Sequence, residues 1–157
     1  MAGDTPGLSG AALQSLLDQN EIRTQIARFA HSLDERRWQD YADLYTVDAV
    51  LELPHGRAEG REAIAEWVAA DLGRYHSTHH AGGLQDILID GDTATVAATL
   101  LATHVTSADG SEHWTGGGWY EMTLRREAAG WLFTSVRPRP TWIAHTEDPS
   151  RTPGLGR

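Results

Sequence analysis

At 157 residues and 17.2 kDa the chain can bury one hydrophobic core, but it is too short for a cofactor domain beside a substrate domain. A net charge of -9 would repel a phosphate backbone, which argues against a nucleic-acid partner. The absence of cysteine removes disulfides, thiolate zinc sites and cysteine nucleophiles, and it suits a reducing cytoplasm, the expected location.

The opening MAGDTPGLSG has no basic region followed by an apolar one, so it does not read as an export signal. No window reaches the roughly 20 apolar residues of a membrane span, so no membrane partner is expected. This opening, taken as residues 1–9, and the closing stretch 147–157 contain Gly, Pro and Ser without periodicity. Both read as loose tails around a single domain of residues 10–146.

Leu13, Leu16, Leu17, Ile22, Ile26, Phe29 and Leu33 recur at helical spacing, apart from a gap that suggests a bend near Asn20. A short helix fits RWQDYADLYT, a strand fits AVLELP, and a third helix fits REAIAEWVAADLGR with Gly73 as its stop. Two apolar, β-branched runs then follow, joined at Asp90-Gly91 and closed by a turn at Asp109-Gly110. Two more strands flank a turn at Ala128 to Gly130. Helices first and antiparallel strands later predict an α+β fold, with helices packed into a strongly curved sheet and a cavity at its open end.

Period-two alternation puts Val96, Ala98, Leu100, Ala102 and His104 on one strand face. The next strand puts Trp114, Gly116, Gly118, Tyr120 and Met122 on one face, where the glycines either leave room for a ligand or mark a bulge. Asp34 closes the first helix at the negative end of its dipole, so it needs a compensating donor. Arg137 and Arg139, one strand step apart, could hold a substrate carboxylate or pair with surface acids. Glu52 could supply an inner carboxylate.

RYHSTHHAGG places three histidines, His76, His79 and His80, within five positions. The HxxHH spacing matches no zinc signature, so no metal is expected. One imidazole paired with Asp34 would make a general base instead. His79 and His80 lie on opposite faces of any strand; periodicity does not choose between them, because Gly82-Gly83 can reset the phase.

The order of elements, the LDxxxW at the first helix end and the HHAGG before a β-meander resemble the SnoaL-like branch of the nuclear-transport-factor-two-like superfamily. The resemblance is closest to the scytalone dehydratases and runs roughly from residue 20 to residue 142. It implies a cone-shaped, mixed or antiparallel sheet wrapped around the N-terminal helices, a cystatin-like barrel with a central pocket. It lays Asp34, His79 and His104 on the family's catalytic aspartate and histidines. The substrate-polarising tyrosines of that family fall on Leu33 and Leu53, and its pocket asparagine on Tyr120, so scytalone itself is not the expected substrate. Trp38, Trp142 and Gly118 complete the expected substrate contacts.

The resemblance implies a lyase without a cofactor, acting as a dehydratase or other β-eliminating enzyme, or else as a cyclase, on an apolar, carbonyl-activated or polyketide-like small molecule. The alternatives are an aldol cyclase or isomerase, an epoxide hydrolase of natural-product biosynthesis, and a non-catalytic ligand-binding or dimerisation module. A homodimer or homotrimer is expected through a convex sheet face that carries Thr115, Trp119 and Thr123.

Overall fold

The structure is a computed structural model that describes residues 9–146; the expected tails at 1–8 and 147–157 lie outside the described residues. Helix α1 spans Gly10–Asp34 and is capped by the Ser9 hydroxyl, which accepts the amide of Ala12. Helices α2, Trp38–Ala42, and α3, Arg61–Leu72, flank strands β1, Tyr45–Leu53, and β2, Gly56–Glu59. Then come β3, Ser77–Ala81; β4, Gln85–Asp90; β5, Thr93–Val105; β6, His113–Glu127; and β7, Gly130–His145.

The seven strands form one mixed sheet in the order β2-β1-β7-β6-β5-β3, with β4 also paired to β5. The β4–β5 and β6–β7 hairpins turn where the sequence predicts, with Gly91 at φ 57° and Gly130 at φ 109°, conformations that favour glycine. The one parallel pairing, β1 with β7, returns the end of the sheet to its beginning. Strand β2 is an addition to the expected elements: it pairs with β1 across a tight turn at Pro54-His55 that periodicity could not detect.

Helix α1 passes through Asn20 without interruption. Its core stripe starts later than expected: Ile22, Ile26, Phe29 and Leu33 are buried, whereas Leu13, Leu16 and Leu17 are each about half exposed. Helical spacing records one face, but only the part of that face lying over the sheet is covered. Trp131, Phe133, Leu124 and Tyr45 fill the narrow end of the cup beneath Ile22 and Ile26, each burial contributing about 1.5–3 kcal/mol. At that end Asp18 is buried against the Arg126 guanidinium, which donates to both of its oxygens at 2.7 and 2.8 Å. The wide end is left hollow.

Candidate functional site

Asp34 stands where α1 stops, and the stop is a Schellman turn. The amide of Arg37 donates to the carbonyl of Ser32 at 2.9 Å and that of Arg36 to Leu33 at 3.1 Å, with Arg36 at φ 55°. The residue at this left-handed position is an arginine rather than a glycine. Its guanidinium donates to the carbonyls of Leu72 and Tyr75 at 2.9 and 2.7 Å, tying the end of α3 and the approach to β3 to the end of α1.

Strand β3 pairs with β5 so that Thr78 faces His104 and His80 faces Ala102, and both side chains share the inner face. In β4 the inner positions are odd-numbered, Ile87 opposite Val96 and Ile89 opposite Ala94. Between Ala81, opposite Leu101, and Gln85, opposite Ala98, β3 and β4 span four residues against three on β5. That extra residue, at Gly82-Gly83-Leu84, resets the phase and turns His80 inward.

Three donors converge on Asp34. The His80 ring contributes Nδ1 at 2.7 Å, its own amide reaches the second oxygen at 2.8 Å, and the Thr78 hydroxyl donates at 3.0 Å. Burial raises the Asp34 pKa, but the hydrogen bonds from His80 and Thr78 outweigh it and hold the carboxyl below its ordinary value. The carboxylate is therefore compensated at the helix pole where it would otherwise be disfavoured. With Nδ1–H directed at Asp34, the neutral form of the His80 ring would have its lone pair at Nε2.

His80 lies in the wall of a cavity of about 320 Å³, open at the wide end of the cup. Phe29, Leu33, Leu51, Val68, Leu100 and Val136 make most of the wall apolar. His104 stands on the same wall, 93 % buried, with its ring stacked on Trp114 at 3.9 Å and 6°. Tyr75 meets it edge-on at 4.8 Å, and the His80 ring lies 5.6 Å away. Burial, together with the nearby charges of His80 and Arg74, lowers the His104 pKa to about 4, so the ring is neutral at physiological pH. The Tyr120 hydroxyl is also in the wall, and burial keeps it protonated.

A family model for the SnoaL-like domain matches residues 14–137. The chain belongs to the SnoaL-like family. A relative from Mycobacterium tuberculosis, the uncharacterized protein Rv2910c, is 26 % identical over 122 residues, covering 76 % of this chain and 83 % of its own. Among solved structures, the Kfla4162 protein of Kribbella flavida superposes with a TM-score of 0.77 at 24 % identity, over 83 % of this chain and 95 % of the other. A scytalone-dehydratase-like protein of Novosphingobium aromaticivorans gives 0.76 at 21 %, over 91 % and 96 %. Hexachlorocyclohexane dehydrochlorinase LinA-type3 of Novosphingobium barchaimii gives 0.76 at 18 %, over 85 % and 92 %. At these identities the structural matches establish the SnoaL-like fold, with its curved, unclosed sheet.

Within this SnoaL-like cup several sequence expectations move. His79, aligned with the family's base, points outward: its side chain is 78 % exposed and its Nδ1 is 3.8 Å from Asp34, beyond hydrogen-bond reach. The pairing of β3 with β5 is the physical reason: it puts Thr78 and His80 on the inner face and leaves His79 outside, a register that the sequence alone does not record. Of the expected substrate contacts, Leu33, Leu53 and Tyr120 are in the cavity lining, whereas Trp38, Trp142 and Gly118 are not. Trp38 packs against the outside of the core, and Trp142 lies half exposed over Gly117. At Gly118 the β6–β7 register shifts, and the Arg139 carbonyl crowds the space a side chain would take. Gly116 is the glycine that opens the wall.

Glu52, Arg137, Glu121 and Arg139 pair on the exterior, Arg137 with Glu52 and Arg139 with Glu121, so neither arginine reaches the cavity. Sequence reading missed Tyr75, Trp114 and the rim residues His55, Asp71 and Arg74. Trp114 could have been found, since strand phase already put it on the face of Tyr120. The rim residues come from turns and a helix end, where period carries no signal.

Proposed function

We propose that this protein is a lyase of the dehydratase type, in which the Asp34–His80 pair removes a proton from a carbon made acidic by a neighbouring carbonyl. The observation that carries this reading is the 2.7 Å contact between His80 and Asp34 in the wall of an apolar cavity. His80 Nε2 takes the proton, and the imidazolium so formed is stabilised by the carboxylate that orients it. The carbonyl oxygen gains negative charge and accepts hydrogen bonds from the Tyr120 hydroxyl and from His104.

Because His104 is held neutral, its part is that of a fixed hydrogen-bond donor rather than a proton source. Elimination is completed when the carbon–oxygen bond β to the carbonyl breaks and His80 returns its proton to the departing hydroxyl, giving water and an unsaturated carbonyl compound. The substrate is a small, largely apolar molecule, with polyketide-like ring compounds of suitable size. Aldol closure and isomerisation begin with the same proton abstraction. Epoxide hydrolysis is less well supported, since Glu52, the second carboxylate it would use, pairs outside with Arg137.

The outer sheet face fits a homodimer in the cytoplasm, the cup of each copy remaining open. The catalytic reading is tested by following α-proton exchange and alkene formation by NMR in D2O with a panel of cyclic β-hydroxy ketones. His80→Gln and Asp34→Asn should each lose at least about a hundredfold in rate, while His79→Ala keeps the wild-type rate. Undiminished turnover in His80→Gln would refute the mechanism. Binding of the panel without exchange in the wild type would instead support the non-catalytic ligand module.

A further inference from the structure

Besides His80, His104 and the tyrosine hydroxyls, the cavity lining among the described residues carries one further polar cluster. His55, at the turn between β1 and β2, Asp71, in the last turn of α3, and Arg74, just beyond it, all border the opening. Asp71 is the best covered of the three and lies between the others, 2.6 Å from Arg74 and 3.8 Å from His55. Arg74 reaches Asp71 through one terminal nitrogen, and its other nitrogens donate to no other described residue. Its guanidinium carbon lies 5.1 Å from the centre of the Tyr75 ring, and Tyr75 in turn packs on His104. The cation is thus one aromatic ring away from the proposed reacting centre.

We infer that Arg74 is a specificity residue that accepts a carboxylate carried at one end of an apolar, ring-sized substrate. The proposal rests on the catalytic reading only for the word substrate; the binding claim stands on the rim geometry. In a chain of net charge -9, an anion approaching the cup is repelled everywhere except where a guanidinium is presented. Among the described residues, Arg74 is the only Lys or Arg in the cavity lining, against one carboxylate, Asp71. Its pair with Asp71 is single-pronged and the Arg74 side chain is 59 % exposed, so it is cheap to rearrange. A ligand carboxylate can use the free edge of the guanidinium in the two-pronged geometry that arginine favours, while the ligand's body fills the apolar wall. Asp71 then acts as a competitor that rejects ligands unable to offer that geometry.

The test is calorimetric titration of the full chain with 2-naphthoate and with its uncharged counterpart 2-naphthamide, at neutral pH and low salt. Naphthoate should bind about fivefold more tightly, the increment of an exposed ion pair. Arg74→Gln should erase that difference while leaving the amide's affinity unchanged, and Asp71→Asn should widen it. Circular dichroism confirms that each variant is folded. Equal affinities in the wild type, a preference that survives Arg74→Gln, or binding of neither probe would overturn the proposal. His80→Gln should keep the naphthoate preference, so undiminished turnover in that variant with the preference intact would fault the catalytic reading and leave this one standing.

Discussion

His104 shows how much a single side chain can hold in place by refusing a proton. Its ring is sandwiched against Trp114 and bordered by Tyr75, and its Nδ1 is buried without a hydrogen-bond partner. In the unfolded chain this histidine titrates near 6.5, but in the fold only near 4. Between those values the unfolded state binds more protons, so stability falls as the pH drops through that window. Urea midpoints measured from pH 7 to pH 4 should decline, and His104→Phe should flatten the decline. A midpoint that rises on acidification would contradict the neutral-ring assignment. At this scale Asp34 and His104 were legible in the sequence, one from its place after Leu33 and the other from strand alternation. The choice of His80 over His79 was not legible, because it depends on one unpaired residue in a glycine-containing bend. No periodicity can count such a residue before the pairing on β5 is known.

Elements are joined in this fold by a few charged ties. The narrow end of the cup is closed by Asp18, which links α1 to the β6–β7 hairpin through Arg126 and the Trp131 indole nitrogen. Its carboxyl is held down to about 2, chiefly by the Arg126 hydrogen bond against the opposing effect of burial. Asp18→Asn keeps the shape but gives up the ionic bonds, and should cost about 2 kcal/mol in urea unfolding. An unchanged midpoint would mean that solvent compensates the guanidinium fully. The helices, the β-meander and both hairpin turns were readable from spacing and turn residues. The exposure of Leu13, Leu16 and Leu17 was not, since how far a sheet extends beneath a helix is a property of the pair. The rim of the cavity was equally hidden, being assembled from the β1–β2 turn and the end of α3, which are remote in sequence.

On the scale of the whole molecule, the outer sheet face is less polar than an isolated acidic domain needs. Trp119 lies opposite Thr99, Leu101 opposite Gly117, and Trp142 covers that glycine, so exposed apolar groups cluster on neighbouring strands. Such a patch suits an isologous contact between two copies. Light scattering should report twice 17.2 kDa, and Leu101→Glu combined with Trp119→Glu should halve that mass without loss of helical signal. A monomeric wild type would dismiss the dimer.

The parallel contact between β1 and β7 also governs how the molecule can be made. Strand β7 lies between β1 and β6, although it is the last of the described strands to leave the ribosome. Until it emerges, β1 and β6 each present an unsatisfied edge, and the nascent chain holds two half-sheets that cannot meet. Asp34 and His80 belong to elements that can already touch at that stage, whereas the Val136, Pro138 and Pro140 side of the cavity arrives with β7. Synthesis thus brings the proposed proton-transfer pair within reach before the pocket that would hold its ligand exists.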